Sequence, residues 1–385
     1  MRVLLASTRG AGHFAPLLPF AHALRLRGHD LLAAGPPSLR PTIEGAGLEL
    51  WEYADPPADE LDAVWARVPT LSPDEANVVV VGEIFGRLNS TASLPRLLQA
   101  CSDWEPDLVL RETAQFGAAI AAELHGIPHV RVAVSLAAME GESLAIAAGA
   151  VDSLRVGAGL PPDPAADRLR NSPYLTTFPA SFEDPSAPAQ PVTHRFRDPA
   201  WDEPGHDLPN WWGESRGPLL YVTLGSVAGG LPMGPPTFGA IVRALDGLPL
   251  RTLLTVGREI DVAAIAAQAP ATVRVERWVP QADVLAHADA VLCHGGAGST
   301  LGALAAGLPQ VVLPLFADQP HNAARVEATG AGVVAEPEAG AIRAALERVL
   351  GDPGLRERAE GLAAEMRAHQ PVEAAVELLA EIRAG

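Results

Sequence analysis

The sequence predicts an α/β protein built from two doubly wound, parallel-sheet domains, and three observations carry that expectation. Short aliphatic runs alternate with stretches of helical period from the first residue, the rhythm of βα units. The rhythm breaks over about 185–218, where Pro, Asp, Glu, Trp and His crowd together, and then restarts. The chain of 385 residues is long enough for about two domains of ~150 residues each.

Taken in order, Arg2–Ala6 reads as a buried strand, Ala15–Arg27 as a helix ended by Gly28, and His29–Ala34 as a second strand. Leu50–Asn89 lacks the βα rhythm and is expected to hold long loops and helices. Asp107–Leu110 is a strand after Pro106, Phe116–His125 a helix closed by Gly126, and His129–Val134 another strand. The stretch 185–218 shows neither helical nor strand period and reads as a last connection plus an interdomain linker. Strands follow at Leu219–Leu224, Arg251–Val256, Val273–Arg277, Ala290–His294 and Gln310–Pro314, with helices at Thr237–Leu245 and Ser299–Ala306. Pro371–Arg383 sets Val372, Ala375, Val376, Leu379 and Ile382 on one face of an amphipathic helix. Strand openings at Arg2 and Leu219 both run into Ser or Thr with Gly nearby, so a repeat of architecture is expected, without a demonstrable sequence repeat. The expected division is 1–200, a linker at 201–217, 218–368, and a terminal helix at 369–385.

Composition narrows the function. Hydrophobic residues make up 48% and charged residues 19%, enough for a sizeable core, while aromatics at 5% leave that core to aliphatic and Ala-rich packing. Acidic residues outnumber basic ones 46 to 28, a net charge of −18, which argues against a nucleic-acid partner. All 28 basic residues are Arg. The absence of Lys excludes a Lys Schiff base and a Walker-type phosphate loop, so any phosphate must be held by backbone N–H groups, helix N-termini, hydroxyls, His or Arg. Cys101 and Cys293 give neither metal spacing nor a disulfide framework. The apolar stretch at the start is too short for a signal peptide and no run approaches membrane-spanning length, so a cytoplasmic protein with no membrane partner is expected.

Gly10-Ala-Gly12-His13-Phe-Ala15 follows a strand and opens a helix, matching the dinucleotide pattern G-x-G-x-x-A. A dinucleotide site also wants an acid at the end of the second strand, and Leu31-Leu-Ala-Ala-Gly35 has none, so a tight βα turn accounts for the glycines equally. His13 stands where α/β sheets bind ligands; an imidazole there serves as a general base or caps the helix, and position alone leaves both open.

The denser signal is Trp278-Val279-Pro-Gln281, then Ala290-Val-Leu-Cys-His294-Gly-Gly296-Ala-Gly298-Ser299-Thr300. A strand delivers His294 to a glycine-rich turn and a helix follows, so free N–H groups, a helix N-terminus and two hydroxyls converge as an anion site without Lys. A bare strand-to-helix turn does not explain the His and the hydroxyls together. After the next strand come Asp318 and Gln319, an acid and an amide suited to vicinal sugar hydroxyls, or simply to capping the following helix.

In this order, these motifs resemble the signature of Leloir glycosyltransferases of the GT-B fold. The resemblance is to the inverting family that includes bacterial macrolide, enediyne and aromatic polyketide glycosyltransferases and plant secondary-product enzymes. Gly12-His13-Phe-Ala-Pro16 matches that family's catalytic loop, and Leu224-Gly-Ser226 its interdomain loop. The resemblance implies two Rossmann-like domains facing across a cleft, the first holding the acceptor and the second the nucleotide sugar, with the terminal helix returning to the first. It implies that Trp278 stacks on the base, the backbone of Val279 reads its edge and Gln281 lies near the nucleoside. His294, Gly296, Gly298, Ser299 and Thr300, helped by Ser226, would hold the diphosphate, and Asp318 and Gln319 would face the sugar. His13 would be the general base. In the family a carboxylate orients this His; Pro106-Asp-Leu-Val-Leu-Arg-Glu112 puts Glu112 in that place where Asp is commoner, with a local pair to Arg111 as the alternative. No metal and no cofactor beyond the nucleotide sugar is expected, since the diphosphate loop supplies the electrostatic stabilisation and no Asp-x-Asp flanks it.

Family members that use UDP-sugars commonly carry an acid after Ser-Thr-x to accept from the ribose hydroxyls, and here that place is Gly302. A 2′-deoxyribose lacks one of those hydroxyls, which favours a dTDP-deoxysugar; close helix packing at Gly302 is the simpler alternative. Trp65, Phe85, Leu136 and Met139, in loops expected at about 50–90 and 136–160, are candidate liners for a hydrophobic natural-product aglycone of the kind met in antibiotic biosynthesis, although core packing accounts for them nearly as well. Two rivals stand beside this reading: a nucleotide-sugar 2-epimerase of the same fold, and a non-catalytic nucleotide-sugar-binding partner, which would have no reason to keep His13. A homodimer is allowed.

Overall fold

The computed structural model describes residues 1–201, 206–213, 217–226 and 228–384. The chain divides into two compact units. The first comprises Met1–Thr177, Pro185–Phe196 and the segment from Gln370 onward; the second comprises Phe178–Asp184 and Arg197–His369.

The first unit is built on an eight-stranded sheet. Its strands are β1 (Arg2–Ala6), β2 (Asp30–Gly35), β3 (Glu49–Glu52), β4 (Leu108–Glu112), β5 (His129–Val132), β6 (Tyr174–Thr176) and β7 (Thr193–Arg197), with a two-residue strand at Gln370–Pro371 beside β7. The order is β3-β2-β1-β4-β5-β6-β7, parallel throughout. Both faces are covered, so central strands such as β1 and the first residues of β4 read as continuous apolar runs rather than alternating ones. Val3, Leu5, Leu108 and Leu110 point into one core layer with Leu17, Phe20 and Leu24 of the first helical segment. Leu4, Ala6 and Val109 point into the other, under the helices Phe116–Leu124 and Ala137–Gly157. The terminal helix, Ala375–Ala384, lays Val376 and Leu379 into the first of these layers.

The second unit carries six strands, numbered on as β8 (Leu219–Thr223), β9 (Arg251–Thr255), β10 (Val273–Glu276), β11 (Ala290–Cys293), β12 (Gln310–Val312) and β13 (Gly332–Val334). They run parallel in the order β10-β9-β8-β11-β12-β13. Leu220, Val222, Leu254, Leu292 and Val311 pack against Phe238, Ile241 and Leu346 in its core. The two sheets therefore share one winding: the first strand is central, the next two extend one way, and the fourth begins the other. In such sheets ligands bind beyond the strand C-termini where the order reverses, between β1 and β4 in one unit and between β8 and β11 in the other.

Several elements differ from the sequence expectation. The first helix starts at Ala11, not Ala15; Ala11–Phe14 leads through a 3-10 turn, Ala15–Leu17, into Leu18–Leu26. Pro16 and Pro19 sit in the first turns of these pieces, where a missing N–H costs nothing. Residues 136–160 are not a loop but mainly the 21-residue helix Ala137–Gly157. Its Ala and Gly residues lie on every face and blur the apolar stripe. Thr193–Arg197 forms β7 inside the stretch expected to lack strands, because only Phe196 of its five residues is buried and the alternation is weak. Phe178–Asp184, inside the expected first domain, groups with the second unit: Arg325 Nε donates to the Phe182 carbonyl at 2.9 Å. The expected linker 201–217 lies partly outside the described residues. Its described part is tied to the second unit, where Trp212 Nε1 donates to the Thr272 carbonyl at 3.0 Å. Among the described residues no helix is long and apolar enough to cross a membrane.

Candidate active site

In the first unit the chemistry gathers at the reversal between β1 and β4. Gly10, at φ 105°, turns the chain out of β1 and sets His13 in the first helical turn. β4 ends on Glu112, wholly buried, and its Oε2 lies 3.3 Å from His13 Nδ1. Glu112 Oε1 accepts from the Thr8 N–H at 3.1 Å and the Thr8 hydroxyl at 2.8 Å, and Oε2 accepts from the Ala114 N–H at 2.6 Å. Burial alone would raise this carboxyl; the charge of His13 and the hydrogen bonds from His13, Thr8 and Ala114 outweigh it and hold the group below the usual carboxylate range. The alternative pair is not formed, since Arg111 Nη1 donates instead to the main-chain carbonyls of Glu112 at 3.3 Å and Thr113 at 2.9 Å. An ionised carboxylate on Nδ1 fixes the imidazole tautomer and leaves Nε2 as the basic nitrogen. The ring keeps 26% exposure and packs against Phe85, with centroids 5.2 Å apart. Phe85 belongs to Val80–Asn89, wound as a π-helix, a form common at functional sites.

The second unit repeats the arrangement between β8 and β11. β11 delivers His294 to Gly295 and Gly296, and the helix Ala297–Ala305 starts two residues earlier than expected, with Gly296 as its N-cap. The N–H groups of Ala297, Gly298 and Ser299 thus fall in the first turn, where no intrahelical partner exists, while the Thr300 N–H closes on the Gly296 carbonyl at 3.0 Å. His294 is wedged between two glycines. A Cβ at Gly225 would stand 2.7 Å from its Cε1, and one at Gly296 2.6 Å from its Nε2. Burial pulls the His294 pKa down to about 4, and Nδ1 has no hydrogen-bond partner among the described residues. With that value the imidazole is neutral at pH 7, one ring nitrogen carrying the proton and the other a lone pair. Exposed Ser226 follows Gly225, at the edge of the same turn.

The remaining predicted residues lie around this loop. Gly295, at φ +86°, lets the loop touch the Asp318–Gln319 turn: a Cβ there would be 3.1 Å from the Gln319 carbonyl. Asn322 Nδ2 bridges the two, donating to the Gly295 carbonyl at 2.8 Å and to Asp318 Oδ2 at 2.9 Å. Gln319 is 2% exposed and its Oε1 accepts from the N–H groups of Leu315 and Phe316, so its amide oxygen shapes the turn itself. Gln281 opens the short helix Gln281–Leu285 and covers Gly302, where a Cβ would be 2.8 Å from its Nε2. Trp278 is 70% exposed, an unusual display for an indole, and Val279 is half-buried beside it.

Comparison with known proteins accords with this geometry. The family model described as erythromycin biosynthesis protein CIII-like matches with its N-terminal domain over residues 22–153 and its C-terminal domain over 242–381. The L-demethylnoviosyl transferase of Streptomyces niveus is 31% identical over 96% of this chain and 100% of its own. The chain belongs to the erythromycin CIII-like family of natural-product glycosyltransferases. Among solved structures, the glycosyltransferase SnogD of Streptomyces nogalater is 27% identical with a TM-score of 0.76, covering 99% of both chains. SsfS6 of Streptomyces sp. SF2575, complexed with thymidine diphosphate, is 26% identical with a TM-score of 0.77, again over 99% of both. The fold is GT-B, with its two parallel-sheet α/β domains.

Within this glycosyltransferase, the structure brings Glu112 to His13 in one unit, and Gly296, Gly298, Ser299, Thr300, Asp318 and Gln319 around the His294 loop in the other. Of the candidate liners Phe85 packs against His13; Leu136 is buried, Met139 half-buried and Trp65 49% exposed. Sequence reasoning missed Thr8 and Asn322, and gave no role of their own to Gly225 and Gly295 within the quoted motifs. Asn322 carried a readable signal, lying one helical turn beyond Asp318. Thr8 carried none, because its partner is 104 residues away.

Proposed function

We propose that this glycosyltransferase moves a deoxysugar, with inversion, from dTDP to a hydroxyl of a hydrophobic natural-product aglycone, with His13 as general base. The carrying observation is the His13–Glu112 pair: a buried carboxylate held ionised 3.3 Å from Nδ1. As Nε2 takes the acceptor proton, that carboxylate stabilises the imidazolium, and general-base catalysis of this kind contributes about 10²–10⁴ in rate. Departure of the nucleotide is assisted at the other unit, where helix N–H groups, His294 and the Ser299 hydroxyl receive the diphosphate charge, while Thr300, wholly buried, supports the loop from behind. In this reading no metal or further cofactor is required, Trp278 stacks on the base, and Asp318 and Gln319 meet the sugar.

The thymidine preference is supported by Gly302 and by the thymidine diphosphate complex of SsfS6. Where an acid would reach a ribose hydroxyl, Gln281 occupies the space. Competition of dTDP against UDP tests it: the wild type should favour dTDP and Gly302→Glu should shift toward UDP, with Gln281→Ala controlling for the displaced amide. A wild type that favours UDP ends this part of the proposal. Mass-spectrometric screening of aglycones against nucleotide sugars tests the reaction itself. His13→Ala should remove most turnover and leave dTDP affinity intact, and donor epimerised without acceptor would favour the epimerase instead.

A further inference from the structure

Glu112 has two oxygens and about four acceptor directions, and the fold fills all four. Two are taken by one residue: the Thr8 N–H at 3.1 Å and the Thr8 hydroxyl at 2.8 Å, both on Oε1. The other two, on Oε2, face Ala114 N–H and His13. Thr8 thus decides which oxygen is left for the imidazole.

A second layer stands behind it. The Tyr53 hydroxyl donates to the carbonyl of Ser7, the opposite end of the peptide whose N–H, on Thr8, binds Glu112. Gln115 Nε2 in turn donates to the Tyr53 hydroxyl at 2.8 Å, and Gln115 Oε1 is anchored by the Ala118 N–H at 3.3 Å. Every bond in this series points its donor the same way, from Gln115 through Tyr53 and the peptide to Glu112, so each polarises the next. Thr8, Tyr53 and Gln115 are 1%, 4% and 1% exposed, so water does not stand in for a lost partner.

We infer that Thr8 and Tyr53 are positioning residues of the transfer reaction, Thr8 holding the Glu112 carboxylate against His13 directly and Tyr53 doing so through the Ser7–Thr8 peptide. The inference rests on His13 being the base. Its test is a double-mutant comparison, with kcat measured on the donor and acceptor that the aglycone screen returns. Thr8→Val, which keeps the shape and loses the hydroxyl, should lower kcat about tenfold, the loss of one hydrogen bond to a charged group. Thr8→Ser should stay within about twofold of wild type, and Tyr53→Phe should lose about three- to tenfold. Calorimetric dTDP affinity should not move in any of them. In a Glu112→Ala background neither Thr8→Val nor Tyr53→Phe should lower kcat further, because the group they position is gone. Losses that persist undiminished there, or Thr8→Ser as poor as Thr8→Val, overturn the inference. If His13→Ala keeps wild-type kcat, the base assignment fails. If His13→Ala is inactive while the losses add to Glu112→Ala, that assignment stands and only this inference falls. Where Thr8→Val does not fold, Thr8→Ala and Tyr53→Phe in both backgrounds make the same comparison.

Discussion

Buried ionisable side chains in the first unit respond to their surroundings in opposite senses. Glu112 is held ionised by donors on every side, whereas Glu140, also buried, is pushed up to about 7 because burial outweighs its bonds from Tyr174, Val134, Ser135 and Thr113. Linkage gives the signs. Glu112 contributes stability above the ordinary carboxylate range that is lost as pH falls through its lower folded value. Glu140 contributes fully below about 4.5 and its contribution is lost as pH rises through about 7. Glu140→Gln preserves an acceptor for the Val134 and Ser135 N–H groups without the charge. Its melting temperature should therefore exceed wild type at pH 8 by more than at pH 5, and a pH-independent difference would refute the buried charge. His294 behaves as the cationic counterpart: with a folded value of about 4, its stability contribution is complete above ~6.5 and disappears between there and 4. His294→Ala should raise the dissociation constant for dTDP about tenfold to a hundredfold, even with no sugar attached.

At the scale of elements, the functional turns are specified by close approach. His294 can sit where it does because Gly225 and Gly296 offer no Cβ. Gly296→Ala should force the imidazole to swing aside and weaken dTDP binding at least tenfold by calorimetry. Unchanged affinity would show that the wedge does not decide. This also marks how far the sequence could be read. His294, Ser299 and Thr300 were legible because a strand, two glycines and a helix start lie within eleven residues of chain. The packing of Gln281 on Gly302 and of Gly295 on Gln319 was not, since it depends on which strands become neighbours. Short strands such as β6, three residues long, and β7, with one buried side chain, carry too little period to be seen alone. The helix Ala137–Gly157 escaped for the opposite reason, being small and apolar on most of its faces. Its Arg155 Nη1 meets Glu123 Oε1 at 2.5 Å with only 1% of the arginine side chain exposed. Arg155→Leu leaves that carboxylate without its buried partner and should cost about 3–5 kcal/mol by denaturant titration.

At the scale of the whole molecule, one winding is used twice, and each copy spends its reversal point on a histidine: His13 beside β4 and His294 at the end of β11. The alternating strands and helices made that repeat readable, but not the closing of the first unit by residues from the far end of the chain. Leu379 of the terminal helix is wholly buried among Val3, Phe20 and Leu24. Leu379→Ala should destabilise the first unit by about 2–5 kcal/mol. Hydrogen exchange should record faster exchange over residues 1–177 and unchanged protection over β8–β13; uniform loss across both sheets would contradict the two-unit division.

Chain order gives that division a timetable. A ribosome that has finished Phe196 must add roughly 170 more residues before Gln370 emerges, which takes about 10–35 s at 5–20 residues per second. Through that interval the nascent first unit holds its hydrophobic berth for Val372, Val376 and Leu379 uncovered, and every residue of the second unit is synthesised before the berth is filled. The first unit is thus completed only after every strand of the second has been synthesised.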